Sequence, residues 1–309
     1  MSYHIIVNKN QNVTYGQLLK NRFVRDDVCI SRKVEAAAIV VGYSKFYLHN
    51  ESSRGVALTV NDEVYDVELN ICASAADYML AAKLALAIAE INNATISPEF
   101  DDELSLDEFE ARYDARWAHS SRLNGADSLK FLLQESDEVK LPGCVRPFYF
   151  GNYVLDKISQ DQPNEEQFAD RVIDEIKNIQ FIEHTVEGLE VPTLIDGSFP
   201  EGVQTVQVIL PEYRLLLQKS DWVILKVGSE ILKVDREQFM RHPSLELTRL
   251  DESQYVLQPI EMKLYLEIVK HFSLLESPPD EVMPVGQKLI ETNVQTTAAN
   301  GKWWQFWKQ

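Results

Sequence analysis

Cysteine is scarce. Cys29, Cys72 and Cys144 are the three in 309 residues, and their odd number and wide spacing exclude a disulfide framework and favour a reducing compartment. They form no Cys-x-x-Cys unit, and none of the six histidines (His4, His49, His119, His184, His242, His271) stands in His-Glu-x-x-His spacing, so no metal site is expected. Closely spaced glycines are also missing. Gly188, Gly197 and Gly202 match neither the dinucleotide fingerprint nor the Walker loop, both of which need adjacent backbone N–H groups turned toward phosphate. Without Gly-x-Ser-x-Gly, the commonest sign of a serine hydrolase is gone as well. No cofactor is expected.

Positive charge is in short supply too, with 30 Lys and Arg against 48 Asp and Glu and a net charge of −18. Such a chain repels phosphate backbones and anionic lipid, which excludes general nucleic-acid binding and favours a basic or neutral protein partner. The most apolar run, residues 75–91, is interrupted by Asp77, Lys83 and Glu90 and is too short for a transmembrane segment. The N-terminus, residues 1–8, lacks a basic n-region and reads as a first β-strand, so the expected location is cytoplasmic.

What is present fits an α+β protein of antiparallel hairpins and meanders packed with amphipathic helices. Residues 56–60 and 63–71 read as strands joined by Asn61-Asp62. Ser74 and Asp77 open a helix carrying Met79, Ala82, Leu86 and Ala89, and Ser105 with Glu108 opens another carrying Leu106, Phe109, Tyr113 and Trp117. Asn124-Gly125 suggests a break, and the two prolines and glycine of residues 141–147 exclude helix there. The polar stretch 159–164 separates an N-terminal domain, 1–158, from a C-terminal one, 165–276. The latter carries a helix with Phe168, Val172, Ile173, Ile176 and Ile179, strands over 203–210, 222–227 and 230–234, a short helix capped by Asp235, and a last helix starting near Pro259. Both halves run hairpin, cap, helix, though their side chains do not repeat. Residues 277–309 read as a flexible linker and an aromatic tail.

Three features carry candidate chemistry. The first is Cys144 in Pro-Gly-Cys-Val-Arg-Pro, where the nearby Arg146 would lower the thiol pKa and leave a nucleophile needing a base; the plainer reading is a buried structural thiol. The second is the run Glu99, Asp101, Asp102, Glu103, Asp107, Glu108, Glu110 and Asp114. With Ser105 as the cap, Asp107, Glu110 and Asp114 share one helical stripe, which reads either as solvated surface or as a docking face for a cationic partner; the spacing and the missing glycine exclude a calcium loop. The third is the tail, where Trp303, Trp304, Phe306 and Trp307 lie between Lys302 and Lys308. Burying one such side chain stabilises by about 1.5–3 kcal/mol, so the tail can dock on its own chain, on another protein or second copy, or make weak contact with a membrane interface.

The stretch from Arg54-Gly55 through Asp77-Tyr78 to Trp117 resembles the β-hairpin, long-helix, acidic-helix region of uncharacterised bacterial cytosolic proteins. Some of these are immunity-type partners of secreted toxins. The resemblance implies a binding role and brings no catalytic residues with it. The expectation is therefore a non-enzymatic interaction protein that meets a protein partner, or itself, through Asp107, Glu110, Asp114 and the tail aromatics. The alternative is an enzyme without a common motif, built on Cys144 or on a carboxylate pair from distant positions.

Overall fold

The computed structural model describes residues 2–182, 194–196 and 204–275. The tail residues Trp303, Trp304, Phe306 and Trp307, and the whole expected linker from 277, lie outside the described residues. The chain divides into two compact units, Met1–Ile182 and Glu183–Gln309.

Unit 1 runs β1 (Ser2–Asn8), α1 (Tyr15–Leu19), β2 (Val28–Ile30), β3 (Gly42–Leu48), β4 (Val56–Val60), β5 (Val64–Asn70), α2 (Ala75–Asn92), β6 (Ile96–Pro98), α3 (Leu106–Arg112), α4 (Ala115–Glu135), β7 (Glu138–Pro142), β8 (Pro147–Gly151), α5 (Asn152–Ile158) and α6 (Glu165–Gln180). Six strands form one antiparallel sheet in the order β2-β3-β4-β5-β1-β6. Alternation sets its faces: Ile5, Val7, Leu58, Tyr65, Val67 and Leu69 are buried, while His4, Asp66 and Glu68 on the other face are half-buried. The Ala-rich α2 packs on the sheet, and α1, α3 and α4 pack on α2. Its position between these layers explains why it is apolar nearly all round.

The helix starts follow from capping. Thr14, Ser74, Ser105 and Asn164 each close a capping box with the residue three on, so orphan N–H groups are satisfied locally. The single helix expected over Ser105 to Trp117 is in fact two, because Asp114 accepts from the Arg116 and Trp117 N–H groups at 2.8 and 3.1 Å and begins α4 afresh. Conversely, Asn124-Gly125 does not break α4. A Cβ on Gly125 would lie 3.1 Å from the Cys72 nitrogen, so the glycine serves close approach to the strand-to-helix connection before α2. The non-helical 141–147 segment holds the turn of a hairpin, residues 143–146, with β7 pairing antiparallel with β8 on either side.

The polar stretch 159–164 joins α5 to α6 inside unit 1, and the unit ends later than the expected boundary at 158–165. The apolar face of α6 packs on α4, α5 and β8, and Phe181 lies against His49 and Tyr47, at 4.8 and 6.4 Å between ring centroids.

Unit 2 contains β9 (Leu194–Asp196), β10 (Gln204–Ile209), β11 (Leu215–Leu217), β12 (Trp222–Val227), β13 (Glu230–Asp235), α7 (Arg236–Met240), β14 (Leu247–Arg249), β15 (Tyr255–Leu257) and α8 (Met262–Leu275). Two sheets, β13-β12-β10-β9 and β11-β15-β14, share a core with Phe239, Tyr265, Ile268 and Phe272. β12 and β13 form the expected hairpin, while β10 and β12 pair in parallel, unlike the strands of unit 1's six-stranded sheet.

Candidate functional site

Two polar assemblies in unit 1 carry chemistry, one buried and one exposed. The buried one is built around Asp77, at N3 of α2 and fully buried. Its carboxylate accepts from the Ser53, Arg54, Gly55 and Ser74 N–H groups at 3.0–3.1 Å and from the Ser53 hydroxyl at 3.1 Å. This bends the 52–55 segment tightly over the helix start. Gly55 sits at φ +67°, where a Cβ would lie 2.8 Å from the Phe46 carbonyl oxygen, so a side chain is excluded on both counts.

From this base three buried cations reach the β7–β8 turn and the end of α6. Lys45 donates to the Gly143 carbonyl at 2.8 Å, and Arg54 to the Pro142 carbonyl at 2.5 Å and the Ile71 carbonyl at 2.6 Å. Arg146 donates to the Ile179 and Gln180 carbonyls at 2.5 and 2.8 Å, satisfying the C-terminus of α6. Gln180 answers with its side-chain oxygen, which accepts from the Val145 and Arg146 N–H groups at 2.9 and 3.0 Å. Burial pushes the Lys45 and Arg54 pKa values down, and the Arg54 charge lowers Lys45 further. The assembly is a set of charge-assisted clasps that hold hairpin, sheet and α6 together.

Cys144 lies inside these clasps, buried, with its thiol 3.7 Å from the Ser52 carbonyl and from the Gln180 side-chain oxygen. Burial pushes its pKa up to about 12, and the Asp77 charge adds to the rise. The expected activation by Arg146 fails because that guanidinium is spent on the α6 carbonyls. A protonated, enclosed thiol is a poor nucleophile. Cys72 is likewise buried and raised to about 12.

The exposed assembly is the acidic run, most of whose carboxylates do local work. Asp101 accepts from Arg112 at 2.7 Å and from the Tyr113 hydroxyl at 2.6 Å, and Tyr3 and Tyr113 share a hydrogen bond at 2.8 Å. Glu103 pairs with Thr95, and Glu108 caps α3. Of the three stripe residues, Glu110 pairs with Lys83 at 2.8 Å. Asp114 caps α4, and those cap N–H bonds hold its carboxyl below the usual range. Asp107 is exposed in the first turn of α3. They therefore lie on consecutive turns of two helices, not on one stripe.

Sequence reasoning missed Phe100. It is 79% exposed, in the turn between β6 and α3, between Glu99 and Asp101 and ahead of Asp102 and Glu103, all four carboxylates exposed. Its inner edge meets Tyr3, at 5.7 Å between centroids, and Tyr3 continues to Trp117 and Tyr113. The available signal was an aromatic residue in a proline-led acidic turn, Pro98-Glu99-Phe100-Asp101-Asp102-Glu103.

A cleft of about 300 Å³ is lined by Ala75, Ala76, Met79 and Ala118 together with Arg25, Glu51 and Lys83, among others. These charges are in ion pairs, Arg25 with Glu51 and Asp27, Lys83 with Glu110. Among the described residues, no three or more His, Cys, Asp or Glu side chains converge on a metal position. No helix among them is long and apolar enough to cross a membrane.

The family whose profile matches this chain, over residues 5–183, is described as a domain of unknown function, DUF4299. The chain belongs to the DUF4299 family. The matched segment covers more than half of the chain and ends within a residue of unit 1, so the sheet, the buried clasps and the Phe100 turn all belong to the DUF4299 domain. No curated protein and no solved structure matches the chain.

Proposed function

We propose that this DUF4299 protein is a non-enzymatic interaction protein that binds a basic protein partner through the surface running from Glu99 to Asp114. The observation that carries the reading is Phe100, a large apolar ring held 79% exposed among carboxylates. An exposed aromatic on a rigid base is the residue type that anchors interfaces, and the surrounding negative charge steers a cationic partner toward it. Glu99 is also held in place, since its carboxylate accepts from the His4 N–H at 3.0 Å.

A cytoplasmic location goes with this reading, because the thiols are free and two of the three are buried. An immunity-type role is its specific form, with a cationic toxin as the partner. The tail aromatics Trp303, Trp304, Phe306 and Trp307 add a second hydrophobic contact, to the partner or to a second copy.

The test is affinity capture on the immobilised full chain from its own cell extract, repeated with Phe100→Ala and with Asp107→Asn, Glu110→Gln and Asp114→Asn combined. Asparagine retains the capping ability at position 114. Bound proteins should be basic, be lost with Phe100→Ala, and elute from the neutralised variant with a flatter salt dependence. Identical retention and salt profiles for all three forms would discard the surface. A parallel capture without residues 301–309 separates the contribution of the tail.

A further inference from the structure

We propose that the free edge of β3 and the segment leading into it, residues 36–44, form an interface for a second copy of this chain. The stretch carries no charged side chain, and every residue from 36 to 43 except Val40 is exposed. Its large apolar side chains, Ile39, Val41 and Tyr43, are 44%, 57% and 55% exposed, whereas Val40 and Ser44 between and after them are buried. A contiguous apolar surface of this kind marks a contact site.

The backbone is open along the same stretch. β2 pairs with β3 only over residues 46–48, and the Ser31 N–H closes that ladder on the Lys45 carbonyl at 2.9 Å. Backbone groups two residues apart point to the same side of a strand, so the Tyr43 N–H and C=O face the side on which β2 has ended. Ahead of β3 the chain is held from one side: the Val40 N–H donates to the Val13 carbonyl at 2.8 Å, and the Ala38 carbonyl accepts from the Tyr15 N–H at 3.0 Å. Residues 39 and 41 turn their backbone groups the other way, and among the described residues neither the Ile39 nor the Val41 N–H has a partner. Edges kept free in folded proteins carry Lys or Pro, and residues 36–44 contain neither. A Cβ on Gly42 would meet nothing within 4 Å, so a strand can approach and pair here.

Charge selects a second copy as that strand's source. Copies of a chain with net charge −18 repel one another, and they meet at least cost where the negative charge is missing. Residues 31–45 hold Arg32, Lys33 and Lys45 against Glu35 alone. A two-fold axis lets one uncharged edge serve both copies, as a self-complementary contact requires. In the sheet order β3 and β6 stand four strands apart, or ~19 Å at ~4.8 Å per step. The pairing therefore leaves the Phe100 turn after β6 free in each copy and does not depend on the role given to that turn.

The experiment is sedimentation velocity of the full chain from ~1 to ~100 µM, the range in which a weak interface is read, for wild type, Val41→Lys, Tyr43→Lys and Phe100→Ala. Val41 and Tyr43 are exposed, so neither lysine threatens the fold, and a circular-dichroism melt verifies that. Each lysine also reduces the chain's negative charge, so a general easing of repulsion would strengthen association, the reverse of the change expected. Wild type and Phe100→Ala should pass together from monomer toward dimer. The dissociation constant should rise at least ~10-fold in either lysine variant, because burying an unpaired ammonium costs more than that factor. Hydrogen–deuterium exchange at the Val41 and Tyr43 amides should slow at the concentrated end of the range. A wild type that stays monomeric, lysine variants that associate as tightly as wild type, loss of association in Phe100→Ala, or amide exchange independent of concentration overturns the proposal.

Discussion

Cys144 and Arg146 are two residues apart, yet the guanidinium turns to the α6 carbonyls while the thiol turns into the core. Local sequence gives proximity along the chain and cannot give direction, because direction here depends on Gln180 and the end of α6, more than thirty positions away. In the native protein Cys144 should therefore react with iodoacetamide far more slowly than in urea; alkylation as fast as that of a free thiol would contradict its burial. His4 provides a second residue-scale outcome. Burial opposes its charged form, but the hydrogen bond to Asp66 at 3.0 Å and the charges of Asp66, Glu68 and Glu99 outweigh that and raise its pKa. The folded protein then holds the proton more tightly than the unfolded chain. This contribution is fully present below the unfolded pKa of about 6.5 and is lost as pH rises through the folded value. Melting temperatures of His4→Gln should consequently fall less than those of wild type as the pH passes upward through that window. Parallel profiles would remove His4 from the balance.

At the scale of elements, the legible signals were those written within one turn of chain. Ser74 with Asp77 and Ser105 with Glu108 cap their helices, and the turn at Asn61-Asp62 joins β4 to β5 as a hairpin, one residue longer than expected because Glu63 belongs to it. Signals that depend on a distant neighbour were misread or incomplete: Gly125 marks contact with Cys72 and does not end α4, while the 141–147 segment, rightly read as non-helical, gave no sign that its turn is received by Lys45, Arg54 and Gln180. Short strands such as β2, β6 and β11 have too few residues to show a period and exist because neighbours pair with them. The hairpin turn is the place to probe. A Cβ at Gly143 would sit 2.2 Å from both the Arg146 carbonyl oxygen and the Gln180 side-chain oxygen, so Gly143→Ala must displace the clasp. A loss of about 2 kcal/mol or more is expected in urea unfolding, whereas an unchanged midpoint would show that the turn relaxes freely. The candidate surface was half legible: the carboxylates were visible as a run, but their internal partners and the exposure of Phe100 arise only from the packing of β1, β6 and α3.

For the whole molecule, the domain boundary follows contacts more than composition. A polar, turn-prone stretch resembles a linker whether or not the next helix folds back, and α6 does fold back onto α4, α5 and β8. A fragment of residues 1–182 should accordingly unfold in one cooperative transition, while a fragment ending at residue 158 exposes the surface that α6 covers and should melt earlier and less sharply. Equal transitions for the two fragments would place the boundary back at the polar stretch. Trp117 makes such measurements simple. Its indole lies 4.7 Å from Tyr113, 5.3 Å from Tyr78 and 6.0 Å from Tyr3, well inside the range for resonance energy transfer. Light absorbed by these tyrosines therefore leaves as indole fluorescence while the DUF4299 domain is folded. The appearance of phenolic emission is an optical readout of its opening that needs no added label.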